Sequence, residues 1–240
     1  QAKTLFPYTT LFRSYKHNDM EDLERVLSKL PEDAVKLIVV DGVFSMDGDI
    51  AKLPQILEIT RKYDAILLVD EAHAIGVIGD KGAGTLSHYG ITDRKNIILT
   101  GTSSKAIGTV GGYITASQDV IDYLRIYARS NMFSTSLPPS VCAAAIEVIK
   151  VMQSTEIVEH LKQNAEYLQN KLKSEGFNIM NTETPIIPLV VGDQAILTQL
   201  AKDAFDSGFI INPIFPPAVP ANLTRFRISV MASHTQKDMD

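Results

Sequence analysis

The chain has 240 residues, 45% of them hydrophobic, which is enough for a packed core in one large domain or one and a half smaller ones. A net charge of -5 without a basic run argues against a nucleic-acid partner, and the single cysteine excludes an internal disulfide. No apolar run reaches the length of a membrane span, and no signal peptide or repeat is visible, so a cytoplasmic setting is the expectation.

In chain order, Thr4 to Ser14 reads as a translated sequencing-adapter oligonucleotide without helical or strand period. Residues 1–14 are therefore set aside from fold reasoning, as one sets aside a cloning scar. The expectation that follows is a natural chain that begins further upstream. Asn18 with Glu21 predicts a capping box, and Leu23, Val26, Leu27 and Leu30 form one apolar stripe ended by Pro31. His17 then falls in a loop or at the helix entry. Leu37 to Asp41 predicts a strand, and the loop Asp41–Asp49 behind it offers Ser45 as an exposed hydroxyl. A helix follows from about Pro54 with Ile56, Leu57 and Thr60 inward. Ala65 to Asp70 is the next strand.

Gly76 to Gly90 reads as a turn-rich connection. The spacing of Gly79, Gly82 and Gly84 is not that of a dinucleotide cradle, and no helix is expected to open there. His88 has no acid or cysteine at ligand spacing and reads as structural, and no metal site is expected anywhere. Ile97 to Leu99 is a buried strand. A polar loop, Lys105 and the glycines at 108, 111 and 112 then lead into a strand over Gly111–Ala116.

Helices are expected over about Asp119–Ala128, from Pro138-Pro139 onward, and over about Thr155–Glu175. The second carries Val141, Ala144, Ala145, Val148, Ile149 and Met152 on one side. The third carries the stripe Leu161, Ala165, Leu168, Leu172. Cys142, among alanines and without a base nearby, reads as a small core residue. Strands are then expected at Ile186–Val191, Phe209–Ile211 and Phe226–Met231. A helix over Ala195–Asp206 turns Ile196, Leu197, Leu200, Ala201 and Ala204 inward. His234 reads as structural, and Asp240 falls inside an expected C-terminal helix.

Strands alternating with helices predict an α/β fold with a mostly parallel sheet, and the strand-end motifs at Ser45, Asp70 and Lys105 then face one crevice. Each motif has a plain alternative. Lys105 can be a solvated loop cation, Asp70 a helix cap, and Asp70-Glu71-Ala72-His73 the Mg2+ acid of a P-loop ATPase. The ATPase needs an upstream G-x-x-x-x-G-K-[ST], which the chain lacks. A lysine withdrawn from water has a lowered pKa and a nucleophilic amine, as Schiff-base chemistry requires.

The three stretches DGVFSMDGDIAKLPQI, LLVDEAHAIGVIGDKGAGTLSHYGI and TGTSSKAIGTVGGYI, in this order and spacing, resemble the α-oxoamine synthase family from Tyr15 to Asp240. These are fold-type I pyridoxal-phosphate (PLP) acyltransferases. The family includes glycine C-acetyltransferase, 8-amino-7-oxononanoate synthase, 5-aminolevulinate synthase and serine palmitoyltransferase. The resemblance implies a PLP-dependent transferase fold of the aspartate aminotransferase type. Residues 15–153 would be the remainder of the PLP-binding large domain, and residues 154–240 a smaller α+β domain, truncated at its end.

It further implies that Lys105 carries PLP as a Schiff base and later acts as base at the substrate Cα. Asp70 would pair with the ring nitrogen. His73 and Ser45 would lie at the phenolic oxygen, and Thr102 at the phosphate. Ser134 and Thr135 would reach the phosphate of a neighbouring subunit. Arg227 would hold the amino-acid carboxylate, a planar anion that suits a guanidinium fork; without the resemblance it reads as an edge-strand arginine. The implied reaction condenses glycine, alanine or serine with an acyl-CoA to an aminoketone, or cleaves one, in a homodimer. Ile211-Asn212-Pro213-Ile214 and Pro217-Ala218-Val219-Pro220 lean toward serine palmitoyltransferase, whereas Asp41 to Gly48 fits glycine C-acetyltransferase equally. An aminotransferase and an inactive fragment are the remaining alternatives.

Overall fold

The computed structural model describes residues 12–240, so most of the segment set aside above lies outside the described residues. Two sheets organise the rest. The first has the order β1-β2-β3-β4, with β1 (Leu37–Asp41), β2 (Ile66–Asp70) and β3 (Ile97–Thr102) parallel and β4 (Gly112–Thr115) antiparallel to β3. The second is antiparallel, order β5-β7-β6, from β5 (Ile186–Val190), β6 (Asn212–Ile214) and β7 (Arg225–Ser229). Its two edge strands carry Pro188 and Pro213, which lack the amide that a central strand needs.

The first sheet has one covered face. Helices α1 (Met20–Leu27) and α2 (Leu53–Lys62) lay Leu23, Leu27, Leu53 and Ile56 on Ile38, Val40, Leu67 and Val69. Each such side chain removed from water contributes on the order of 1.5–3 kcal/mol. Leu37 and Val39 point the other way and stay 54% and 57% exposed. Asp19, not Asn18, caps α1 by accepting the Asp22 amide. Asn18 has φ +49 and reaches instead to Asp49 and the Ile50 carbonyl.

Other expectations need correction. The connection after β2 does hold helical turns, a 3-10 turn at Asp80–Gly82 and the short α3 (Thr85–His88). The strand expected at Phe209–Ile211 lies three residues later as β6, because Asn212 pairs with Arg227 whereas the Phe209 amide closes the end of α8 (Gln194–Asp206) on Ala204. Of the α8 stripe Leu197 is buried, while Ile196 and Leu200 are exposed.

Helix α6 (Pro139–Ser154) is mostly apolar yet has no buried residue, so Cys142, expected in the core, is exposed. It follows α4 (Gln118–Tyr127) and α5 (Arg129–Met132), which also bury no residue. Helix α7 (Ile157–Ser174) buries Ala165 and Gln169, with Leu168 and Leu172 packed on Ile179, Ile187 and Val230 of the second sheet's core. The chain ends in α9 (Gln236–Met239), opened by a Thr235–Asp238 capping box. No helix among the described residues is long and apolar enough to cross a membrane.

Candidate functional site

Parallel pairing sets Asp41 opposite Asp70 and Asp70 opposite Thr100, so the carboxyl ends of β1 and β2 present two acids in a row with the Thr100 hydroxyl of β3. This is the edge at which open α/β sheets bind ligands. Asp70 Oδ1 accepts the Ala72 amide at 2.8 Å, which fixes the carboxylate at the strand end. Asp41 has no side-chain hydrogen bond among the described residues, and burial, with Asp70 beside it, raises its carboxyl above the usual range. Glu71 turns away from the crevice. It is buried and accepts the amide and hydroxyl of Thr85 at 2.9 and 3.0 Å, with Gly84 so close that a Cβ there would stand 2.5 Å from Glu71 Oε2. The paired acids that the ATPase reading needs are therefore not presented together.

Beyond β3 the chain is folded back by its own backbone. Ser103 donates to Gly111, Thr109 donates to Ser103, and Gly108 donates to Lys105. The Thr102 hydroxyl is 2.8 Å from Ser104 Oγ and 3.2 Å from the Gly111 carbonyl, so it stands within the loop that carries the lysine. Lys105 projects from this loop to place Nζ 2.7 Å from His73 Nε2. Burial lowers the Lys105 amine below its ordinary value and Arg227 adds to that effect, while Asp70 and Asp41 oppose it. His73 is pushed down to about 4, chiefly by burial and then by Lys105 and Arg227. The imidazole is thus neutral near pH 7, and Nε2 is free to accept from Nζ.

Arg227 comes from the other sheet. It lies on β7, the central strand and not an edge, and its Nε donates to the Ser45 carbonyl at 2.6 Å. Arg225, two residues earlier, donates Nη1 to Asp47 Oδ1 at 2.7 Å and to the Met46 carbonyl at 3.0 Å. The sequence reading missed Arg225. The alternation Arg225-Phe226-Arg227 was a visible signal, since it sets both guanidiniums on one face of the strand. Ser45, Asp70, His73, Lys105 and Arg227 are thereby brought around one crevice.

A cavity of about 120 Å³ opens at its floor, lined by His73, Lys105, Ala106, Pro185 and Ser229 among others. Ser134 and Thr135 are not part of it. They line a wider hollow of about 720 Å³ with Gly101, Gly111 and Tyr113. His17, Asp47 and Asp49 bring ligand atoms within 4.8 Å of one another. Each already has a partner, His17 and Asn18 on Asp49 and Arg225 on Asp47, so the cluster reads as an internal ion-pair network.

This sheet order, with a lysine and an acid at the strand ends and an arginine from the second sheet, defines a fold-type I transferase architecture. A family model described as aminotransferase class I and II matches residues 4–240. The chain is 44% identical over 227 residues to a serine palmitoyltransferase of Sphingobacterium spiritivorum, covering 94% of this chain and 57% of the relative. It is 46% identical over 228 residues to an 8-amino-7-oxononanoate synthase of Thermoanaerobacter pseudethanolicus, covering 94% and 58%.

Among solved structures, the serine palmitoyltransferase of Sphingomonas wittichii matches with a TM-score of 0.88 at 34% identity, over 94% of this chain and 57% of that one. A serine palmitoyltransferase solved with its PLP internal aldimine matches with a TM-score of 0.87 at 35% identity, over the same shares of 94% and 57%. The chain belongs to the class I and II aminotransferase family and, within it, to the α-oxoamine synthases. It spans somewhat more than half the length of these relatives, 57% and 58%.

Proposed function

We propose that this chain carries the PLP pocket of an α-oxoamine synthase, and that the whole protein joins a small amino acid to an acyl-CoA, or runs the reverse cleavage. The observation that carries the reading is the 2.7 Å approach of Lys105 Nζ to a neutral His73 beside Asp70. The donor set fits the group. An amine held below its ordinary pKa suits an aldehyde, a carboxylate at a strand end suits a ring nitrogen, and the hydroxyl-bearing loop at Thr102 suits a phosphate. Bound there, PLP would supply the electron sink that stabilises a carbanion at the amino-acid Cα.

On this reading Lys105 would hold the aldehyde carbon, Asp70 the ring nitrogen, and His73 and Ser45 the phenolic oxygen. Thr102 takes the phosphate, with Ser134 and Thr135 assigned to the phosphate of a neighbouring subunit. Arg227 keeps Nη2 for a substrate carboxylate, since its Nε is committed to Ser45 and its Nη1 to Ser229. With PLP and the amino acid bound, Lys105 would be the base for the Cα proton. Its lowered pKa leaves more of the amine unprotonated for that step. Neutral His73 receives the Nζ hydrogen bond and holds the amine in line. The substrates proposed are glycine, alanine or serine and an acyl-CoA thioester, in a cytoplasmic homodimer divided near residue 153. Relatives of both kinds at 44% and 46% identity leave serine palmitoyltransferase and 8-amino-7-oxononanoate synthase as equal readings of the member.

The test is borohydride trapping of PLP on the purified chain, followed by peptide mass spectrometry. Modification confined to Lys105 supports the pocket. Labelling spread over surface lysines, or none at all, shows that this chain alone is not the holoenzyme, and the same result on a full-length parent overturns the reading.

A further inference from the structure

We propose that Arg225 is a positioning residue of this site. It clamps the Ser45–Asp47 loop to the second sheet and thereby sets the direction of Arg227. The carboxylate part of this inference rests on the role of Arg227 proposed above. Arg225 is only 1% exposed, the largest of the fully buried side chains among the described residues. Its Nε donates to the Leu223 carbonyl at 2.8 Å, and its Nη1 lies 2.7 Å from Asp47 Oδ1, 3.0 Å from the Met46 carbonyl and 3.1 Å from Met180 Sδ. A buried guanidinium persists only where its hydrogen bonds and charge are met, so its partners are fixed as firmly as it is. Two of those partners, Met46 and Asp47, are the residues directly after Ser45.

The loop is pinned at its other end too, where the Gly48 carbonyl accepts from Thr184 Oγ1 at 2.9 Å and from the Glu183 amide at 3.1 Å. Arg227, on the same face of β7, spends its Nε on the Ser45 carbonyl. If that carbonyl moves, the Arg227 fork loses its anchor, and the amino groups facing the crevice turn with it. Arg225 touches no reacting atom. It acts through the loop.

Hydrogen exchange on the whole chain tests this, comparing wild type with R225K, R225M and the milder D47N. Loss of the clamp is expected to speed exchange of the Phe44 and Gly48 amides, which bond Asp49 and Phe44, by at least about tenfold. Amides inside β1 and β2 keep their protection. On PLP-loaded chain, the dissociation constant for the amino acid, read from the cofactor absorbance, is expected to rise by about tenfold in D47N and R225K while PLP loading is unchanged. Unaltered exchange at 44–48 in both D47N and R225K overturns the inference, as does a uniform loss of protection across the sheet in D47N. Should wild type fail to load PLP at Lys105, the proposed function falls, and the exchange measurement still decides the clamp by itself.

Discussion

Gly48→Ala probes the same loop through sterics. Gly48 sits at φ +72, in the left-handed region, and a Cβ added there stands 2.1 Å from the Ile186 carbonyl oxygen and 2.5 Å from Thr182 Oγ1. The left-handed backbone alone costs alanine about 1–2 kcal/mol. The clash cannot be relieved by a side-chain rotation, because Ile186 is held in β5 opposite Ser229. The loop must therefore retreat. It then gives up bonds from Thr184 Oγ1, the Glu183 amide and Thr182 Oγ1 to the Gly48 carbonyl, at 2.9, 3.1 and 3.3 Å. Losing two of these three costs about 1–3 kcal/mol more.

The expected destabilisation is about 2–5 kcal/mol, a large share of an ordinary domain's stability. Urea unfolding followed by far-ultraviolet circular dichroism measures it. Gly90→Ala is the control, since Gly90 is also left-handed at φ +63 but an added Cβ meets no atom within 4 Å. It should lose only the backbone cost. Equal losses in the two variants, within about 0.5 kcal/mol, would refute the argument that the second sheet presses on this loop.

Three further outcomes follow from the electrostatics and exposure of the site. His73 is depressed to about 4 in the folded chain, so between that value and its ordinary 6.5 the unfolded chain binds the extra proton; its contribution to stability is complete above pH 6.5 and lost as pH falls toward 4. His73→Asn should flatten that part of a stability-against-pH curve, and an unchanged slope would show that the imidazole is not buried against Lys105. Asp41 holds the Lys105 amine up, so Asp41→Asn should lower its pKa further and move the pH profile of aldehyde trapping to lower pH; an unmoved profile denies Asp41 a place in the crevice. Cys142 should react with a thiol reagent in the native chain as readily as in urea, and protection would mean that the apolar surface of α6 is covered in solution.

Much of the first sheet was legible because its signals are local. Apolar runs of three to five residues ending at Asp41, Asp70 and Thr100 read as strands, and parallel order places their ends together. The motif residues Asp70, His73 and Lys105 converge for that reason. Other features were hidden because they depend on partners far away in sequence. Arg225 reads as a surface charge until Asp47 and Met46, 178 and 179 residues earlier, are brought to it. Phe209 and Ile210 look like a strand, but Ile210 is 86% exposed, and it is Asn212 and Pro213, poor strand formers, that pair with β7. Cys142 misled for the opposite reason. A helix as rich in apolar residues as α6 normally signals burial, and nothing in its sequence says which neighbours it has.

The two sheets are thus not a site and a separate appendage. The loop after β1 joins the first sheet's side at its ends, where Gly42 donates to Asp70 and Ala51 donates to Gly42, and through Val43 and Phe44, which pack on Ala74, Ile78 and the core under the sheet. The hydrogen bonds that leave the loop from Ser45 to Gly48, by contrast, run to the second sheet and the turn before it. Arg227 takes Ser45, Arg225 takes Met46 and Asp47, and Thr182 to Thr184 take Gly48. A displacement of β7 therefore moves Ser45 and Arg227 together while leaving Asp70, His73 and Lys105 on their own strand ends. On the function proposed above, substitutions in the second sheet should alter how an amino acid is held more than how the lysine reacts, whereas changes at β2 and β3 should do the reverse. That division gives the kinetic signature by which the two groups of residues can be told apart.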